Sequence, residues 1–340
     1  MRDLDEPIRM TPDRKPATGR ARRIVGRVAG LALLVVLAPF IYALLVVVAG
    51  SIAYGTNGEI TVAGATREYL LHVPARYDPA KPAPLVISLH PAMSWPEFQS
   101  DVTGWNRLAD EEGFIVAYPA GQGLGARNWT MEGWGNPRLM PDVRFVSALI
   151  DKLRAAYNID PARIYANGLS NGGGMAYVLS CTLPHRIAAI GAVAAAQALP
   201  SKWCADATPV PMIAFHGTGD RVVPYEGGSV WISPVPFPNV PRWVGDWARR
   251  NRCGERPEET AVARDVTRTE YAGCASNAGV VLYTIRGGGH AWPGGGPLPA
   301  WIGIEMALFG LPVGATPQNI DATRVMWAFF RDHPLGGNRR

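Results

Sequence analysis

Gly168-Leu169-Ser170-Asn171-Gly172 joins the apolar run Ile164-Tyr165-Ala166 to a small-residue stretch, Gly172 to Cys181, of helical character. A G-x-S-x-G pentapeptide between a strand and a helix is a sharp turn. Both flanking positions must lack side chains, and the serine hydroxyl is pushed out above the end of a sheet. The N–H of Asn171 then lies at a helix N-terminus, where unpaired amides and the positive end of the helix dipole favour a developing anion. Ser170 is therefore the candidate nucleophile, and the Asn171 N–H a candidate oxyanion donor.

Working outward, Leu85-Val86-Ile87-Ser88-Leu89 and Phe114-Ile115-Val116-Ala117-Tyr118 read as strands, with Trp105 to Glu112 helical between them. Val146, Leu149, Ile150 and Leu153 recur at i, i+3, i+4 and i+7, which makes Asp142 to Tyr157 a helix with one buried face. Further buried strands are expected at Ile187–Ala194, Met212–Phe215 and Val280–Ile285. A final amphipathic helix is expected at Ala322–Arg331, capped by Asn319 or Asp321. Strands alternating with helices imply right-handed crossovers and a mostly parallel central sheet with helices on both faces, an α/β fold. The Pro/Gly-rich segments Gly227–Pro241 and Gly287–Pro299 read as loops over one end of that sheet.

A serine hydroxyl is a weak nucleophile and needs a base, which in turn needs an orienting carboxylate. In this type of fold the acid and then the histidine each follow a later strand. Met212–Phe215 leads into His216-Gly217-Thr218-Gly219-Asp220, and Val280–Ile285 into Gly287-Gly288-Gly289-His290. Asp220 and His290 thus have the required order. Asp206 precedes its strand and Asp246 lies in a Trp-rich helical stretch, so neither competes well. His216 precedes the candidate acid and is expected to buttress its loop.

At this point the residues resemble a known family: extracellular esterases of the polyhydroxybutyrate-depolymerase type, related to feruloyl and acetylxylan esterases, in the α/β-hydrolase superfamily. The resemblance runs from about Tyr69 to Pro334. It is carried by Gly168-Leu169-Ser170-Asn171-Gly172-Gly173, by His216-Gly217-Thr218-Gly219-Asp220 with Val223-Pro224-Tyr225, and by Gly288-Gly289-His290-Ala291-Trp292-Pro293-Gly294. It implies an α/β-hydrolase fold, a triad of Ser170, Asp220 and His290, and serine-dependent hydrolysis of a carboxylic ester through an acyl-enzyme. No metal or organic cofactor is implied. Two departures stand out. Where the family commonly has His-Gly after the oxyanion strand, this chain has His90-Pro91. Where many members have Cys-Cys before the Asp142 helix, it has Trp134-Gly135. Proline has no N–H to donate, so the second oxyanion donor is expected at Ala92, with Met93 the alternative.

Trp95, Trp129, Trp134, Trp231 and Trp292 are candidates to line an acyl or aryl pocket, although tryptophan also serves as plain core. Hydroxyalkanoate oligomers, feruloylated or acetylated sugars and small lipid esters are all candidate substrates. A small soluble ester is favoured over bulk polymer, since the chain leaves no length for a separate polymer-binding domain. The reading from another class is a non-catalytic surface-binding protein on the same fold. Loss of a triad residue would favour it, and none is lost.

The net charge of +5 is concentrated in residues 1–27, which hold eight Lys/Arg and four Asp/Glu; the remainder carries +1. Such a body lacks the electrostatic footprint of a nucleic-acid partner. Val28 to Tyr54 then runs for twenty-seven residues without a charge, enough to span a bilayer core of roughly 30 Å. Arg20, Arg22, Arg23 and Arg27 favour a cytoplasmic N-terminus. The expected organisation is a basic tail (1–27), a membrane anchor or long signal peptide (28–54) and a catalytic domain (55–340). The body would lie outside the cytoplasmic membrane, anchored, or secreted if the segment is cut near Ala49 or Ala53. Cys181, Cys204, Cys253 and Cys274 show no C-x-x-C, and an even count suits an oxidising compartment. Of three possible connectivities, 181–204 with 253–274 closes the shortest loops. Each bridge would stabilise the fold by roughly 3 kcal/mol on the loop-entropy argument.

Overall fold

The computed structural model describes residues 55–123, 127–130, 140–196, 204, 208–233, 235–296 and 310–336, with Arg27, Leu33, Leu37, Ala38, Ile41, Gly303, Met306 and Ala307. The chain divides into two compact units, Met1–Ala49 and Gly50–Arg340. In the first, the five described residues are helical and exposed. The rest of the expected 28–54 anchor lies outside the described residues. Among those described, no helix is long and apolar enough to cross a membrane.

The second unit is built on one ten-stranded sheet. Its strands are β1 (Gly58–Val62), β2 (Ala65–His72), β3 (Ala83–Leu89), β4 (Ile115–Pro119), β5 (Ile159–Leu169), β6 (Ala189–Val193), β7 (Met212–Gly217), β8 (Glu258–Ala263), β9 (Val266–Tyr271) and β10 (Val280–Ile285). They are ordered β1-β2-β4-β3-β5-β6-β7-β10-β9-β8. From β4 to β10 every pairing is parallel, and both flanks are antiparallel.

Burial explains the difference between centre and flanks. β3, β4, β6 and β7 are buried along their whole length, as strands covered on both faces must be. Alternate residues feed two cores. Leu85, Ile87 and Leu89 point into one, with Phe145, Leu149, Met175, Leu179 and Trp247. Val86 enters the other, with Trp105, Leu108, Met326 and Phe330. The first core lies under α3 (Pro141–Ala156), α4 (Asn171–Thr182) and α5 (Val240–Arg250). The second lies under α2 (Trp105–Glu112) and α6 (Ala322–Arg331). A short helix, α1 (Pro96–Thr103), precedes α2. Asp321 caps α6, its carboxylate accepting from Arg324 N at 3.0 Å.

Both expected disulfides are formed, Cys181–Cys204 and Cys253–Cys274. The second flanks the β8–β9 hairpin, whose outer strand is exposed along nearly its whole length. From β3 the chain passes out to β4 and returns to β5 on the other side. The sheet therefore has a topological switch between β3 and β5, the position where open α/β sheets place a ligand crevice. Leu89 pairs with Gly168 there, so the 90–93 loop and the serine turn emerge side by side.

Candidate active site

The turn after β5 forces Ser170 into φ 55°, ψ −119°, a conformation that L residues adopt at a cost of about 1–3 kcal/mol. Two glycines make it possible. A Cβ on Gly172 would fall 2.1 Å from the Leu89 carbonyl oxygen, and one on Gly168 would fall 2.3 Å from the Gly172 carbonyl carbon. The turn is held by Ser170 N donating to Val193 O at 2.9 Å, while Gly174 N donates to Ser170 O at 3.0 Å and starts α4.

Asp220 lies just past β7 and His290 just past β10. The two loops touch directly: a Cβ on Gly217 would sit 2.1 Å from Gly288 O, and Gly219 N donates to Gly288 O at 2.9 Å. His290 Nδ1 lies 2.8 Å from Asp220 Oδ2, and its main-chain N–H donates to Val313 O at 2.5 Å. The other carboxylate oxygen of Asp220 accepts from Val222 N and Val223 N, both at 2.9 Å. His216 Nε2 sits 2.9 Å from Val223 O and 3.4 Å from Asp220 Oδ2, so it braces the acid loop from beneath. Burial opposes ionisation of Asp220. The charge of His290 and hydrogen bonds from His216 and His290 outweigh it and hold the carboxyl well below the usual range. An ionised Asp220 therefore faces Nδ1, which leaves Nε2 as the free basic position of the ring. Among the described residues no hydrogen bond joins Ser170 Oγ to His290; without substrate such contacts are commonly long.

The 90–94 segment is held by Gly121 and by residues 127–129. His90 is fully buried. Its Nε2 accepts from Gly121 N at 3.0 Å, and its Nδ1 lies 2.7 Å from Pro91 O. Trp129 Nε1 donates to His90 O at 2.9 Å. Met93, at φ 55°, gives its N–H to Asn128 Oδ1 at 3.1 Å. Ala92 is exposed, and no described residue accepts from its N–H. The side chain of Asn171 has a part that the sequence did not signal. Its Oδ1 accepts from Trp129 N at 2.7 Å and its Nδ2 donates to Trp129 O at 3.3 Å, which ties the turn to the 127–130 segment. That segment is in turn tied to β2 by Arg127–Glu68. The buried pair Arg67–Asp142 at 2.6 Å anchors it too, since Asp142 also accepts from Thr130 N at 2.9 Å.

The four described candidate tryptophans sit in different settings. Trp292 is part of the second core, its indole N–H donating to Thr323 Oγ1 at 2.8 Å. Trp95 and Trp129 are buried, the latter with its ring 5.0 Å from that of His90. Trp231 is 67% exposed, and Trp134 lies outside the described residues. Among the described residues no group of three or more His, Cys, Asp or Glu side chains converges as a metal site.

A family profile described as Phospholipase/Carboxylesterase matches residues 138–231, the segment holding the serine turn and the acid loop. The protein named "Putative esterase NocK" from Nocardia uniformis subsp. tsuyamanensis is 32% identical over 268 residues, covering 71% of this chain and 74% of that protein. Feruloyl esterase B of Piromyces equi is 32% identical over 232 residues, covering 66% of this chain and 42% of that protein. The acetyl xylan esterase structure from Aspergillus awamori matches with a TM-score of 0.52 at 14% identity, covering 76% of this chain and 100% of that one, a likeness of fold. The chain belongs to the α/β-hydrolase family of serine carboxylic ester hydrolases.

Proposed function

We infer that Ser170, His290 and Asp220 form the triad of an esterase that works through an acyl-enzyme. Ser170 attacks the ester carbonyl, and His290 Nε2 takes its proton while Asp220 holds the ring. The N–H groups of Asn171 and Ala92 stabilise the oxyanion. The alcohol leaves with the proton from His290, and water activated by the same imidazole releases the acid. The observation that carries this reading is the strained serine turn, whose cost is otherwise unexplained. Met93, the alternative second donor, already gives its N–H to Asn128, which favours Ala92.

The substrate is a small, soluble carboxylic ester of the feruloyl or acetylated-sugar kind, a class suggested by the names of the relatives. Hydroxybutyrate oligomers are the competing choice. A panel of p-nitrophenyl acetate, methyl ferulate, acetylated xylo-oligosaccharides and hydroxybutyrate trimer tests this. The highest kcat/KM is expected on methyl ferulate or the acetylated sugars; no turnover of any ester would overturn the reading. On the best substrate Ala92→Pro should lower kcat by about 10²–10³, the usual effect of deleting one oxyanion donor. Normal turnover by a folded Ala92→Pro would place the donor elsewhere.

The body acts outside the cytoplasm, held by a membrane helix within 28–54; two disulfides fit an oxidising compartment. Full-length protein should stay with membranes after a carbonate wash. A soluble form beginning after Ala49 or Ala53 would identify the segment as a signal peptide.

A further inference from the structure

Pro91 O and Ala92 N–H belong to one planar, trans peptide unit, so they point in opposite directions and cannot turn independently. Whatever fixes the carbonyl also aims the N–H. Among the described residues the carbonyl is fixed by a single side chain: His90 Nδ1 lies 2.7 Å from Pro91 O. A carbonyl can only accept, so Nδ1 carries the proton. At the other end of the ring Nε2 is 3.0 Å from Gly121 N, a group that can only donate. These two partners admit one state of His90, the neutral Nδ1–H tautomer.

The ring cannot rotate out of that state. It is fully buried, lies against the Trp129 ring, and its own carbonyl is held by Trp129 Nε1. Burial, joined by the charges of Arg127 and Arg67, outweighs the Pro91 hydrogen bond and pushes the His90 pKa down to about 4. The imidazole therefore stays uncharged wherever the enzyme is neutral or mildly acidic. Proline at 91 adds to the same end, since its ring locks φ on the near side of the peptide that must be aimed.

We propose that His90 is a positioning residue for catalysis: by donating from Nδ1 to Pro91 O it turns the Ala92 N–H towards the oxyanion. The His-Pro pair is thus a preorganised version of the loop. Its rigidity replaces the flexibility a glycine would have there. This rests on the roles given to Ser170 and Ala92 above.

Two amide substitutions separate the two ends of the ring. In His90→Asn the side-chain amide falls near the Nδ1 position, keeps the donor to Pro91 O and drops the acceptor for Gly121. In His90→Gln the amide reaches the Nε2 position, keeps the acceptor for Gly121 and drops the donor to Pro91. His90→Asn should keep kcat within about fivefold, whereas His90→Gln should lower kcat by about 10–100-fold at unchanged KM, short of the effect of deleting a donor. Binding of a boronic-acid mimic of the tetrahedral intermediate should weaken in parallel. His90→Leu, suited to the buried site, takes the place of His90→Gln if that variant does not fold, with the same loss expected. Equal kcat in the Asn and Gln (or Leu) variants, or losses that follow melting temperature instead of the Pro91 donor, would overturn the proposal. Ser170→Ala, measured alongside, distinguishes the two levels. If it is inactive while the His90 variants behave alike, only the role of His90 fails. If it still turns over ester, the underlying reading fails as well.

Discussion

Ser170→Ala is expected to lower kcat by about 10⁴–10⁶, the range found when the nucleophile of a triad is removed, with little change in fold. The Ser170 hydroxyl makes no hydrogen bond to a described residue, so its loss leaves no buried partner unsatisfied. The main-chain bonds that hold the turn, Ser170 N to Val193 O and Gly174 N to Ser170 O, survive the change. The strain also survives, because alanine at φ 55° is no more comfortable than serine. Ser170→Gly should therefore be equally inactive yet more stable than Ser170→Ala, by about 1–3 kcal/mol, since glycine tolerates positive φ. Matched thermal melts check this ordering. An Ala variant with measurable wild-type turnover, or a Gly variant that melts below it, would show that the turn is not strained for catalysis.

Asp220→Asn should cost about 10⁴ in kcat while preserving the loop. Two main-chain N–H groups, from Val222 and Val223, point at Oδ1, so the new side-chain carbonyl oxygen must take that place. The amide nitrogen is then left at the position of Oδ2, facing His290 Nδ1 at 2.8 Å. It donates where the carboxylate accepted, and drives the imidazole proton to Nε2, where it blocks deprotonation of serine. A wrong tautomer with the geometry intact has an effect of about this size in serine proteases. In the parent, the Asp220 carboxyl lies below the usual range. Its ionised form therefore contributes stability that is complete above about pH 4 and is lost only as pH falls through its lowered pKa. Steady-state kinetics on the variant, with melting as a control on folding, decide the point. A loss under tenfold would remove Asp220 from the triad.

The centre of the fold was legible because the central strands are covered on both faces and so read as unbroken apolar runs. Val280–Ile285, Trp105–Glu112 and Ala322–Arg331 fall where the sequence puts them. The flanking strands did not announce themselves. Ala-Thr-Arg-Glu-Tyr-Leu-Leu-His in β2 and Val-Thr-Arg-Thr-Glu-Tyr in β9 mix charge with apolar residues, because these strands, each one in from an edge, are only partly buried. Ser170, Asp220 and His290 are candidates read from their places after strands, and the Asp220–His290 contact joins two of those places. The bracing residues could not be read that way. Asn128, the Asn171 side chain and the Asp142 carboxylate act through partners far away in sequence, and nothing local in an asparagine or a helix-start aspartate reveals such a partner. Trp292 shows the reverse: its motif pointed to the site, whereas its ring completes the second core.

The account stands most directly on Ser170 being the nucleophile. Treating the folded protein with a fluorophosphonate and mapping the adduct by peptide mass spectrometry measures this. One equivalent of phosphonyl group on Ser170, formed in step with loss of esterase activity and slowed in Asp220→Asn, is the predicted result. Loss of activity with the label on another residue, or full labelling that leaves ester turnover intact, would contradict it.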